Sequence, residues 1–160
     1  MKRTIEMITM TLIIIVLAVF VGSTLMACSD ESSTFHVRDI ANSGCKSANH
    51  TRSEYPEYFE FKACDGGYLS INHVNALFNC VPGDLKIQAT IDGNVIKIFE
   101  KEETSLANCV CPYDLYCEIG PLSVGDYDVF VYRDSFESPS QHFSITYKNG
   151  LNVKLGTYDY

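Results

Sequence analysis

Tyr58–Val74 reads YFEFKACDGGYLSINHV, and this stretch predicts a β-hairpin. Apolar and polar residues alternate on both sides of Asp65–Gly67, and a period of two is typical of strands with one buried face. A three-residue loop at Asp65–Gly67 pairs Ala63 with Leu69, Phe61 with Ile71 and Phe59 with His73. Directly opposed residues share one face of a sheet, so this register brings the apolar side chains together. We therefore expect His73 on the apolar face, as a hydrogen-bonded core histidine beside Phe59.

Two further turn signals predict two more hairpins. Asp92-Gly93 suits a two-residue type I′ loop, which pairs Ala89 with Ile96 and Ile87 with Ile98. At Asn149-Gly150, a two-residue loop would set Ile145 against Lys154, so a three-residue loop at Lys148–Gly150 is preferred. That loop pairs Tyr147 with Leu151, Ile145 with Val153 and Phe143 with Leu155.

Two more alternating segments, 115–119 and 127–132, complete about 7–8 strands with one-sided apolar faces. No window predicts an amphipathic helix, so the fold class is an all-β antiparallel sandwich over residues 57–160. Gly125-Asp126-Tyr127 resembles the tyrosine corner of immunoglobulin-like domains, although Tyr127 is equally compatible with an ordinary core aromatic. Val129 stands where antibody domains have a cysteine, and the chain has no Trp, so an immunoglobulin-like or transthyretin-like sandwich is expected.

The N-terminus predicts a lipoprotein signal peptide over residues 1–27. Its apolar core, Leu12–Val21, is too short for a membrane span of about 20 residues. Leu25-Met26-Ala27-Cys28 resembles the lipobox of bacterial lipoproteins, which implies lipidation of Cys28 and an anchor in the lipid bilayer. Ser29-Asp30-Glu31 resembles the surface-export signal of Bacteroides-type lipoproteins. The alternative is an uncleaved signal anchor in which Cys28 is an unmodified thiol.

This resemblance implies an address and a domain order. Residues 28–56 are expected to be a lipidated tether and an irregular segment ahead of the sandwich. The expected location is the outer membrane facing the cell surface, with its periplasmic face as the alternative. Asn108–Leu115, with its two cysteines, resembles a block found in uncharacterised lipoproteins of Bacteroides-type bacteria. The same resemblance spans roughly residues 64–133, including Phe78-Asn79-Cys80 and Gly120-Pro121-Leu122, and it implies fold and address but no activity.

Seven cysteines are an odd number for a secreted protein. Lipidation of Cys28 leaves six disulfide candidates, and an oxidising compartment favours bridges. Cys109 and Cys111 are too close to bridge each other without strain, so Cys80 is the first-choice partner for one of them. Alternation directs Cys117 inward and Cys64 outward, which argues against their pairing and leaves open that one or both are reduced. The six candidates are Cys45, Cys64, Cys80, Cys109, Cys111 and Cys117.

The formal net charge of −8, without a basic cluster, argues against a nucleic-acid partner.

The sequence contains residue types that bind zinc, namely Cys80, Cys109, Cys111 and His73. A single Cys-x-Cys lacks the paired spacing of a zinc framework. We interpret the carboxylates as rim charges rather than a hydrolase pair; they are Glu100, Glu102, Glu103, Asp114, Asp126 and Asp128.

The expected function is a non-enzymatic binding or accessory role at the cell envelope, without a cofactor, a metal or catalytic residues. Tyr116, Phe130 and Tyr132 alternate outward from the predicted strands and form the candidate binding patch. A glycan, a peptide or an envelope protein is the expected class of ligand. A Cys/His-dependent metal-binding protein or enzyme is the alternative.

Overall fold

The structure, a computed structural model, describes residues 34–46, 55–133 and 137–157. The predicted signal peptide, Cys28 and the first residues of the tether lie outside the described residues. Among the described residues, no helix is long and apolar enough to cross a membrane. The nine strands of the described part are β1 His36–Asn42, β2 Tyr58–Cys64, β3 Tyr68–Asn79, β4 Leu85–Asp92, β5 Val95–Glu102, β6 Val110–Gly120, β7 Gly125–Arg133, β8 Gln141–Tyr147 and β9 Asn152–Gly156.

These strands form two sheets that pack on each other. One has five strands in the order β1-β6-β3-β2-β9, and the other has four in the order β4-β5-β7-β8. Neighbours are antiparallel except β5 and β7, which run parallel. Apolar side chains from both inner faces form one core, which is the layered arrangement of a sandwich. The predicted all-β, disulfide-stabilised sandwich is therefore confirmed.

The predicted start of the sandwich is wrong. Residues 28–56 were expected to be a tether and an irregular segment, but β1 (His36–Asn42) lies within that range and pairs with β6. Most of its side chains are exposed, so it has little of the apolar alternation that marks a buried face. A bulge at Asp39, with φ +53°, further interrupts the pattern.

The hairpin at Asp65–Gly67 has the predicted register. Ala63 pairs with Leu69, Phe61 with Ile71 and Phe59 with His73. The chain turns through a short 3₁₀ segment in which Gly66 and Gly67 have φ values of +75° and +81°. Glycine adopts such left-handed backbone without steric strain, which explains why this loop fixes the register.

The predicted register of the next hairpin is wrong by two residues. β4 and β5 pair Ile91 with Ile96 and Ala89 with Ile98, so the loop is Gly93-Asn94 rather than Asp92-Gly93. Gly93 has φ +56° and becomes the first loop residue, the position at which a type II′ turn requires glycine. A shift of two residues keeps every side chain on its predicted face, so apolar matching alone could not detect it.

The third predicted hairpin does not exist. β8 pairs with β7 in the four-stranded sheet, whereas β9 pairs with β2 in the five-stranded sheet. The loop around Gly150 therefore carries the chain from one sheet to the other. The apolar residues of β8 and β9 face one shared core from opposite sheets. Apolar matching therefore could not distinguish two strands that face each other across the core from two strands that pair within one sheet.

The tyrosine corner is present. The Tyr127 hydroxyl donates a hydrogen bond of 2.9 Å to the Ser123 carbonyl oxygen, four residues upstream, and the ring is buried. Val129 and Val131 follow it into the core with no accessible surface. This contact fixes the start of β7, the strand that ends at Arg133.

Candidate functional site

The structure divides the predicted binding patch between two faces of the sandwich. Tyr116 lies on β6 in the five-stranded sheet, where its hydroxyl donates a hydrogen bond of 2.7 Å to Glu118. Phe130 and Tyr132 lie on β7 in the four-stranded sheet. Outward side chains of two packed sheets point in opposite directions. A single patch of these three residues is therefore wrong.

Phe130 and Tyr132 instead belong to a cluster on the outer face of the four-stranded sheet. The Tyr132 ring stacks with Phe99 of β5 at a centroid distance of 5.0 Å, and the Phe130 ring stacks with His142 of β8 at 4.4 Å. All four side chains are half-buried. We call Phe99, Phe130, Tyr132 and His142 the aromatic face. The sequence offered a signal for Phe99, since it alternates with Ile96 and Ile98.

Polar groups border the aromatic face. Exposed Lys97 lies directly opposite Phe130 in the parallel pair β5–β7. The Asp128 carboxylate accepts a hydrogen bond of 2.8 Å from the Ser144 hydroxyl and lies 3.0 Å from Nε2 of His142. The contacts with Ser144 and then His142 lower the pKa of Asp128. Charged and hydroxyl groups thus lie directly beside the aromatic rings on this surface.

Four of the six candidate cysteines form disulfides, Cys45–Cys111 and Cys80–Cys109. The predicted pairing of Cys80 with one member of the Cys-x-Cys motif is confirmed. Cys64 and Cys117 are free, which is the outcome that their opposite directions left open. Cys117 is buried whereas Cys64 is half-buried, in agreement with the opposite directions that alternation predicts.

The free thiol of Cys117 is poorly suited to nucleophilic catalysis. Burial, followed by the negative charges of Glu100 and Glu118, raises the pKa of Cys117 to about 12. A cysteine nucleophile reacts as the thiolate, and this environment keeps the proton on sulfur.

The cysteines considered as zinc ligands, Cys80, Cys109 and Cys111, all form disulfides. Within the part of the chain that the structure describes, no group of three His, Cys, Asp or Glu side chains is placed to hold a metal ion.

A buried charged cluster joins the two sheets around His73. The His73 ring has 1% exposure and stacks on Phe59 at 3.8 Å, which confirms the predicted core position. Its Nδ1 lies 2.8 and 3.0 Å from the two carboxylate oxygens of Glu100, and its Nε2 lies 2.8 Å from Oε1 of Glu57. Arg133 Nη2 donates to the same Glu57 oxygen at 2.5 Å. We call Glu57, His73, Glu100 and Arg133 the inter-sheet cluster.

Each sheet contributes charges to this cluster. His73 and Glu57 come from β3 and from the residue before β2, whereas Glu100 and Arg133 come from β5 and β7. The predicted position of Glu100 on the rim is wrong, because its side chain is only 3% exposed. Glu100 continues the inward alternation of Ile96 and Ile98, so the strand pattern contained the signal. Its charge argued for the surface, but a buried partner outweighs that preference.

The cluster favours the charged forms of His73 and Glu57. Burial by itself lowers the pKa of His73, but the charge of Glu100 and hydrogen bonds to both carboxylates outweigh burial, so the pKa is raised. Burial opposes ionisation of Glu57 as well, yet its contacts with His73 and Arg133 lower its pKa to about 2. Two carboxylates face two cations, and this pairing makes the burial of His73 and Glu100 tolerable.

The remaining carboxylates are engaged in structural contacts. Asp114 accepts from the backbone N–H of Asn75 at 3.0 Å, where a bulge follows His73 in β3. Glu102 accepts from the backbone N–H of Asn79 at 2.7 Å, and Asp126 accepts from the Thr146 hydroxyl at 2.6 Å. The sequence predicted rim charges, and the structure adds that these carboxylates hold backbone and hydroxyl groups in place.

Comparisons with family models, curated proteins and solved structures found no match to this chain.

Proposed function

We propose that this chain is a lipid-anchored lipoprotein of the uncharacterised Bacteroides type, located at the outer membrane and facing the cell surface. Its role in this proposal is non-enzymatic binding of a ligand outside the cell. The lipobox-like Leu25–Cys28 supports the anchor, since two or more acyl chains hold a protein firmly in a bilayer. Two disulfides fit an oxidising compartment.

The anchor is tested by replacing Cys28 with serine. Serine lacks the sulfur that would be joined to the lipid, so we expect Cys28→Ser to lose incorporation of radioactive palmitate and to leave the membrane fraction. Cys64→Ser is the matched control and should retain the label, because Cys64 lies in the folded domain. Equal labelling of Cys28→Ser and wild type would exclude the anchor.

The aromatic face is the observation that supports binding. Its rings are half-buried rather than packed in the core, and hydrogen-bonding side chains such as Lys97 and Asp128 lie between and beside them. A glycan matches this combination of rings and polar groups, because a sugar ring offers apolar C–H groups on its faces and hydroxyls around its edge. Aromatic side chains contribute large contact areas at recognition surfaces. We therefore propose a glycan as the ligand.

The binding proposal predicts a loss of affinity confined to one face of the sandwich. A glycan array with the full chain purified in detergent would first identify the ligand, with peptides on the same array as the competing class. We expect Phe130→Ala and Tyr132→Ala each to weaken binding at least about tenfold, as loss of a central aromatic contact does. Tyr116→Ala is the control from the opposite sheet and should bind normally. The proposal would be contradicted if all three variants lost affinity equally, or if the protein bound only the peptides on the array.

A further inference from the structure

The carboxylates that face the two ring nitrogens of His73 indicate how many protons its imidazole ring carries. Both ring nitrogens lie 2.8 Å from a carboxylate oxygen, Nδ1 from Glu100 and Nε2 from Glu57. Neutral imidazole carries one N–H and one lone pair, whereas imidazolium carries two N–H groups. Only imidazolium can donate to both carboxylates. Neutral His73 would instead place a lone pair against one carboxylate in a site with 1% exposure.

Arg133 is positioned to respond when that proton leaves. Its Nη2 donates to Glu57 at 2.5 Å and lies 3.4 Å from Nε2 of His73. A lone pair on Nε2 would be a hydrogen-bond acceptor within reach of this guanidinium. Nε of Arg133 is buried and makes no hydrogen bond with the described residues, so the guanidinium has donors to spare. The ring nitrogen facing Glu100 has no comparable alternative donor among the charged groups of the cluster.

We propose that the inter-sheet cluster is a proton-operated switch in which Nε2 of His73 either donates to Glu57 or accepts from Arg133. In the protonated state, Nε2–H donates to Glu57, which also accepts from Arg133. When Nε2 releases its proton to solvent, the electron pair remains on nitrogen and Arg133 donates to it. Nδ1–H keeps its hydrogen bond to Glu100 in both states. This switch is independent of the proposed ligand and of the aromatic face.

The groups that face His73 set the direction of the pH dependence. They are Glu57 before β2, Glu100 on β5 and Arg133 on β7, while the Cys117 thiol lies on the same inner face of β6. The pKa of His73 is raised above its ordinary value of about 6.5, so its contribution to stability is complete below about pH 6.5 and is lost as the pH rises through the raised value. Glu57, with its pKa lowered to about 2, contributes above its ordinary value of about 4.5 and loses its contribution as the pH falls towards about 2.

The test is a pH titration of the histidine ring nitrogens by ¹⁵N NMR, with the full chain in detergent. We expect both nitrogens of His73 to be protonated between about pH 4.5 and 6.5. At higher pH we expect a single tautomer with the proton on Nδ1. His142, which lies on the aromatic face, is the internal reference for a ring outside the cluster. A neutral His73 at acidic pH, or a high-pH tautomer with the proton on Nε2, would overturn the proposal.

Glu57→Gln tests whether Glu57 holds the proton on Nε2 of His73. The amide removes the charge beside Nε2, so we expect the midpoint of the His73 titration to fall by about 1–3 pH units, as loss of an opposite charge within hydrogen-bond distance does. The proton should still remain on Nδ1 because Glu100 is unchanged. Glu103→Gln, at an exposed carboxylate, should leave the His73 midpoint in place. An unchanged midpoint in Glu57→Gln would overturn the switch even if the variant folds normally.

Discussion

Glu100→Gln is expected to lower the free energy of unfolding by about 3–5 kcal/mol, the range for removing one partner of a buried ion pair. The amide keeps the size of the side chain but removes the negative charge at 2.8–3.0 Å from Nδ1 of His73. At 3% exposure, solvent cannot replace that charge. Urea denaturation between about pH 4.5 and 6.5, where His73 and Glu57 are both charged, measures the effect.

The control for this prediction is the same substitution at the surface. Glu103 is 48% exposed and contacts Lys86 at 3.5 Å, and exposed pairs contribute little to stability. We expect Glu103→Gln to change the free energy of unfolding by no more than about 0.5 kcal/mol. A loss below about 1 kcal/mol in Glu100→Gln would mean that the buried charge is not essential to the joint between the sheets.

Cys45→Ala/Cys111→Ala is expected to lower the free energy of unfolding by about 2–5 kcal/mol. This disulfide spans 66 residues and ties the segment after β1 to β6, whereas Cys80–Cys109 spans 29. Loop-closure entropy gives the longer bridge an advantage of about 0.7 kcal/mol. Without it, β1 keeps β6 as its hydrogen-bonded neighbour in the described sheet, but the segment that follows β1 loses its covalent link to β6. We therefore expect faster hydrogen exchange in β1 than in β3 of this variant.

Cys64→Ala is the matched control, because Cys64 is free and half-buried. We expect a change of no more than about 0.5 kcal/mol. Peptide mapping of the wild type should show two bridges, with Cys64 alkylated in the folded protein and Cys117 only after unfolding. A third bridge joining Cys64 to Cys117, or equal destabilisation by the control, would contradict the assignment.

The sequence predicted which face of each strand is buried more reliably than it predicted which strands pair. Alternation correctly directed His73 and Cys117 into the core. The same alternation predicted a register at Asp92-Gly93 that differs from the observed one by two residues. It also predicted a hairpin of β8 and β9, although these strands belong to different sheets. Both errors preserve the inward direction of every apolar residue. A period of two records only which side of a strand is buried.

Charge was the second source of error. Glu100 and Arg133 continue the inward alternation of β5 and β7, yet a charged residue alone favours the surface. Their inward positions become reasonable only because His73 and Glu57 face them from the other sheet as partners. The aromatic face depends in the same way on distant strands, because His142 and Phe99 flank β7 from β8 and β5. Local sequence contains no information about these partners.

By itself, the amino-acid sequence determined the strand character of the domain, the hairpin at Asp65–Gly67 and the opposite directions of Cys64 and Cys117. These features depend on alternation and on glycine backbone freedom, which act over a few residues. Only the tertiary structure decided the sheet order, the Cys45–Cys111 bridge and the assembly of the inter-sheet cluster. Each of these joins segments far apart in the chain, and their pairing is selected by the packing of two complete sheets rather than by local preference.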